Sequence, residues 1–232
     1  MIAINHYHKK PDDPSDLNTS RDVNCIRDTL TSKKFGFKNE DIIVIDDTKS
    51  PPSATTHDGI IAAFRQFIEK TIPGDIVYFH FSGHGSEVAD PTNHKLTGVS
   101  QTIVPLDFDA SIPDPKNEIT DLELKALVQS LMDKKPLSAT LTFDCCHSGG
   151  DTRGRHASRG FEHPGALPRK KVTGVISDKL IASTDSNLVV IAACRPDQKA
   201  WETTDETSHD MGLFTYCLTK ALQNANDKTT YN

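Results

Sequence analysis

Five short apolar runs, at residues 2–7, 41–46, 75–81, 139–143 and 187–194, punctuate the chain, and segments of helical period lie between and after them. Val23, Ile26 and Leu30 mark one such segment. Ile60, Ala63, Phe64, Phe67 and Ile68 mark a second, residues 122–131 a third and residues 211–222 a last. Short continuous apolar runs fit strands buried on both faces, and a 3.6-residue period fits the helices that cover them. The alternation predicts an α/β fold with a mostly parallel central sheet and helices on both faces. In such folds, sites lie beyond the carboxyl ends of the strands.

Two of those ends carry reactive residues. DIVYFHF runs into Ser82-Gly83-His84-Gly85, and ATLTF runs into Asp144-Cys145-Cys146-His147-Ser148-Gly149-Gly150. Flanking glycines set His84 on a backbone that can turn tightly and be approached closely. Strand alternation points Asp144 and Cys146 to one side and Cys145 to the other, and groups Ser82 with His84. A cysteine leaving a strand beside backbone N–H groups and an imidazole has its thiolate favoured. Each motif alone has a plain explanation, a loop for the histidine and core packing for the cysteines. Their pairing at two strand ends favours catalysis, with Cys146 as nucleophile and His84 moving the proton. Zinc is the competing chemistry for His80, His84, Cys145, Cys146 and His147, but adjacent cysteines suit one tetrahedral ion poorly, and no metal site is expected.

The charge balance, 32 acidic residues against 26 Lys plus Arg in 232 residues, gives a net −6. No basic field favours nucleic acid or an acidic membrane, and a cationic substrate suits the sign better. Five cysteines without a spaced framework point to a reducing, cytoplasmic setting. No window approaches a membrane span, and the first residues lack the apolar core of a leader. A basic, Gly- and Pro-containing stretch at residues 151–179 reads as a flexible linker between regions 1–150 and 180–232.

FHFSGHG followed, from His84 to Cys146, 62 residues later (146 − 84) by DCCHSGG resembles the caspase-like cysteine peptidases, and within them the metacaspases. INHY, NCIRD, TIVPLDFD, ITDLEL and AACRPD support the likeness over nearly the whole chain. The resemblance implies a caspase-like three-layer sandwich of one domain, with a p20-like catalytic region at 1–150, the linker at 151–179 and a p10-like region at 180–232. It implies a thiol endopeptidase, usually monomeric, with programmed cell death among the family's roles.

Carried over residue by residue, it makes Cys146 the nucleophile and His84 the acid and base, with the N–H groups of Gly85 and Cys146 as oxyanion hole. Cys25, Asp28, Ser82 and Asp144 would form an acidic substrate pocket, so that proteins and peptides are cut after Arg or Lys; paired carboxylates suit a guanidinium. Trp201 and Glu202, after the last strand, are candidates to line the cleft. Many metacaspases are activated by calcium. Of that carboxylate cluster this chain keeps Asp121, with Ser100, Leu122 and Arg153 at the other positions, which implies weak or no calcium dependence. Arg153, Arg155, Arg159, Arg169, Lys170 and Lys171 are candidate self-processing sites. The alternative reading is a catalytically weak module of the same fold that acts by binding proteins.

Overall fold

The computed structural model describes residues 1–7, 16–89, 99–109, 118–146, 158–160, 187–195 and 198–226. Most of the proposed linker, and its basic residues other than Arg159, lie outside them.

Among the described residues the central sheet has five parallel strands: β1 (Ile2–Ala3), β2 (Ile45–Asp46), β3 (Ile76–Ser82), β7 (Ser138–Asp144) and β8 (Leu188–Ala192), in the order β2-β1-β3-β7-β8. β8, from the C-terminal region, pairs directly with β7, so that region completes the same sheet. β1 and β2 are shorter than the apolar runs predict. Residues 39–41 form a single 3-10 turn, and Ile4 onward leaves the ladder after one more bond, from its N–H to the Ser82 carbonyl.

Among the described residues four helices cover the sheet: α1 (Thr19–Leu30), α2 (His57–Lys70), α3 (Asp121–Met132) and α4 (Leu213–Asn224). Thr56 caps α2 by accepting from the Gly59 N–H, and Thr120 with Glu123 forms a reciprocal capping box on α3. α1 packs against α4, and α2 against α3. The pleat of β3 and β7 sorts the two layers. Phe79, Phe81, Leu141 and Phe143 join Phe64 of α2 and Leu124, Val128 and Leu131 of α3 in the main apolar core. The alternate residues are polar and face α1 and α4: Ser82 bonds to Asp22 of α1, and Asp144 to Thr215 of α4. His80 and Thr142 stand two positions earlier on the same two strands, bonded to each other at 2.8 Å.

Two small antiparallel sheets, not foreseen from the sequence, flank this frame. One is β4 (Gly85–Ala89), β5 (Val99–Ile103) and β6 (Ile119–Thr120); the other is the β9 (Glu202–Thr204) and β10 (Asp210–Gly212) hairpin.

Candidate active site

β3 and β7 pair in register from Ile76 opposite Ser138 to Ser82 opposite Asp144. The strands therefore end flush, and His84 and Cys146 each stand two residues beyond a paired position. Gly83 makes the turn before His84 because a Cβ there would lie 2.4 Å from the Tyr7 hydroxyl and 2.8 Å from the Phe81 ring. The Tyr7 hydroxyl accepts the His84 N–H at 2.7 Å and donates to the Val104 carbonyl at 3.3 Å. Its ring meets the imidazole edge-on at 4.6 Å, and burial holds its pKa above the ordinary tyrosine value. Tyr7 thus fixes the histidine's backbone and one side of its ring, a role no motif announced.

The two strand ends converge on one atom. The N–H groups of Gly85 and Cys146 both donate to the carbonyl oxygen of Arg159, each at 3.0 Å. Paired donors at that distance are the geometry of an oxyanion hole. The Arg159 N–H donates to the Ala200 carbonyl at 3.1 Å, Ser158 bridges Trp201 and Gly160 bridges Gly85. The segment Ser158-Arg159-Gly160 is held by main-chain bonds on both sides, as an added strand would be.

The Arg159 side chain is fully buried. Its Nη2 lies 2.7 Å from Asp22 Oδ2 and 3.2 Å from Glu202 Oε1; its Nη1 lies 2.6 Å from Ser82 Oγ and 3.4 Å from Asp144 Oδ2. The acids are themselves positioned. Asp22 Oδ1 accepts the Gly212 N–H, Asp144 Oδ2 accepts the N–H and hydroxyl of Thr215 in the first turn of α4, and Glu202 accepts the Asn18 N–H. Burial opposes the guanidinium charge, but Asp144, Asp22 and Glu202 outweigh it and raise the Arg159 pKa. Burial likewise pushes Asp144 up to about 6, against the pull of Arg159, and raises Glu202. Three acids around one cation leave a pocket that draws positive charge strongly.

Cys146 and Cys145 part as the pleat requires. Cys145 sits in the apolar core, where burial pushes its thiol well up. Cys146 is drawn down by its contact with Cys194, against burial, with further help from a backbone bond at Ala200 and the charges of Lys199 and Arg159. Cys194 is raised by the same contact, so of the two thiols Cys146 is the one whose thiolate is favoured.

Ser82, Asp144, His84, Gly85 and Cys146 are brought together. Cys25 and Asp28 are not. Asp28 is 71% exposed and pairs with its neighbour Arg27, and Cys25 lies one turn further from the strand ends than Asp22. Their placement has a topological cause. A helix that follows a strand in a parallel sheet begins at the carboxyl edge, so its first turn faces the site. That turn holds Thr19 and Asp22, both fully buried, with the same three-residue spacing as Cys25 and Asp28. Glu202, named as a cleft candidate, reaches the guanidinium, whereas Trp201 is 40% exposed. Asp121 is buried at the start of α3, Ser100 is buried in β5, and Arg153 lies outside the described residues.

A family model for the metacaspase, peptidase C14 domain matches residues 1–152. Metacaspase-9 of Arabidopsis thaliana is 37% identical over 133 residues, 54% of this chain and 38% of the relative. Metacaspase-1 of Schizosaccharomyces pombe is 32% identical over 145 residues, 58% of this chain and 32% of the relative. The chain thus spans about a third of the length of the curated relatives it matches. A crystal structure of a protein from Geobacter sulfurreducens superposes with a TM-score of 0.58 at 21% identity, over 96% of this chain and 81% of that one, a likeness of fold. No helix among the described residues is long and apolar enough to cross a membrane. With the family model matched across β1, β2, β3 and β7 and through the DCCHSGG motif, the chain belongs to the metacaspase family of peptidase C14 domains.

Proposed function

We propose that this chain is a cysteine endopeptidase that hydrolyses peptide bonds after Arg or Lys. The observation that carries the reading is Arg159, its carbonyl between the N–H groups of Gly85 and Cys146 and its guanidinium among Asp22, Asp144, Ser82 and Glu202. A peptide seated this way presents its carbonyl carbon to the Cys146 thiolate. Attack forms a C–S bond and moves charge onto the oxygen, which the two N–H groups stabilise; one such donor is worth on the order of 10²- to 10³-fold in rate. As the C–N bond breaks, His84 gives its proton to the leaving amine, and water, deprotonated by the same imidazole, then releases the acid. Ser158-Arg159-Gly160 is itself a substrate of this form, with Arg159–Gly160 as the bond to be cut. The reading routes no step through a metal.

The experiment is a pair of fluorogenic peptides ending in Arg or Asp before the reporter, with and without calcium. Cleavage of the Arg peptide alone, lost in Cys146→Ala and His84→Ala and indifferent to calcium, is the expected result. Preferential Asp cleavage would sink the pocket assignment. An inert Cys146 in a well-folded chain would favour the protein-binding module instead.

A further inference from the structure

We infer that the β9–β10 hairpin makes the acidic pocket select arginine over lysine, through the Glu202 carboxylate at its mouth and the missing side chain at Gly212. The inference rests on the endopeptidase reading for its biological meaning, but its physical content is a property of the pocket alone.

The two walls of the pocket recognise different things. Asp22 from α1, with Ser82 and Asp144 at the ends of β3 and β7, surrounds the tip of any basic side chain, and a point charge would satisfy it. The hairpin adds what only a planar fork uses. Glu202 Oε1 lies 3.2 Å from Nη2, the nitrogen that also meets Asp22, so Nη2 bridges acids from two separate parts of the chain. Nη1 is meanwhile shared between Ser82 and Asp144. An ammonium, with its three donors on a single nitrogen, cannot stand at both ends of that fork. With lysine in the pocket, one mostly buried carboxylate loses its cation, and a buried charge left unpaired is costly.

Gly212 supplies the width. A Cβ built on it would lie 2.8 Å from both Cζ and Nη1 of Arg159, and 2.1 Å from Asp144 Oδ2. The residue's φ is ordinary, at −65°, so no backbone strain calls for glycine here. The space does. The Gly212 N–H also bonds to Asp22 at 2.8 Å, which ties the floor of the pocket to its far wall. A lysine chain ends in single file and has no group to place against that floor.

Charge-assisted hydrogen bonds of this kind are worth about ten- to a hundredfold in an equilibrium constant. The test uses a Cys146→Ala, Arg159→Ala chain, which vacates the pocket, titrated calorimetrically with agmatine and cadaverine as the bare side chains of arginine and lysine. Agmatine should bind at least tenfold tighter, and Glu202→Gln should narrow the ratio by about tenfold. Gly212→Ala should weaken agmatine more than cadaverine. An unchanged ratio in Glu202→Gln, or no binding of either amine, overturns the inference. If the vacated chain does not fold, the same comparison is made in cis. In Cys146→Ala, Arg159→Lys should lower the melting temperature, and less so when Glu202 is Gln; equal losses in both backgrounds overturn it. A pocket that prefers agmatine in a chain that, with Cys146 intact, cuts neither an Arg nor a Lys peptide leaves this inference standing and defeats the endopeptidase reading.

Discussion

The two faces of β3 and β7 are built from adjacent residues and do opposite work. On one face Phe79, Phe81, Leu141, Phe143 and Cys145 lie in the apolar core against α2 and α3. On the other, His80, Ser82, Thr142 and Asp144 are just as buried, yet each is bonded to a polar partner from a neighbouring element. Both faces exclude water. What separates them is that the apolar face would tolerate any well-packed hydrophobe, while the polar face is held by directional hydrogen bonds that leave His80 Nε2 and Asp144 Oδ1 without a partner among the described residues. Burial of polar groups at this density is costly unless most of them are paired. On this face the pairing cation is an arginine from the segment after Cys146.

Substitutions on each face sharpen that contrast. The largest effect is expected from Cys146→Ala, which should lower kcat/KM for Arg peptides by on the order of 10⁴-fold or more. It should leave the melting temperature nearly unchanged, and intact mass should show no cut after Arg159 where the wild-type chain is cut. Phe143→Ala, one strand position from Asp144, should do the reverse. It should cost about 3–5 kcal/mol of stability in denaturant titrations, with the surviving folded fraction still reactive at Cys146. Asp22→Asn removes one member of a buried ion network and should cost about 3 kcal/mol together with most Arg cleavage; stability loss without loss of Arg preference would break the assignment of the polar wall.

Acid should act on the same wall. Asp144 is held up near 6 chiefly by burial, and guanidinium binding needs its ionised form. In the vacated Arg159→Ala pocket the carboxyl loses the cation that pulls it down, so its midpoint lies above that value. Agmatine affinity should therefore fall as pH drops through and below that midpoint, with a proton released on binding. Asp144→Asn should flatten the profile. The smallest effect belongs to Asp28→Asn on the outer side of α1, expected within about 0.5 kcal/mol in stability and without change in Arg cleavage.

Position along the strands was legible in the sequence because the pleat has a period of two and the motifs begin where the apolar runs stop. Register along α1 was not. Its start is weakly signalled, since Asn18 stands at the cap without a side-chain bond to the helix, and a Cys-x-x-Asp spacing two turns on repeats the spacing of Thr19 and Asp22. The small sheets escaped for a different reason. GSEVA, VSQTI and the ETT and DMG arms of the hairpin are short and polar, and their pairing is decided by neighbours distant in the chain. Hence the strand-end positions of Ser82, His84, Gly85, Asp144 and Cys146 were legible in advance, whereas the contacts of Asp22, Tyr7 and Gly212 were not. Arg159 stood among six basic residues until its carbonyl was seen between two N–H groups.

Arg159 lies thirteen residues after Cys146 (159 − 146), and for the proposed peptidase that covalent tether would set a kinetic threshold. A ligand carried so near its own site meets it at an effective concentration on the order of millimolar, and a peptide arriving from solution must outcompete it. Cutting the Arg159–Gly160 bond would not by itself clear the site, because the new C-terminal arginine keeps both its tether and its three carboxylates. Progress curves for external peptides should then begin with a lag and end below the rate of the Arg159→Ala chain, the signature of an enzyme that remains its own product inhibitor.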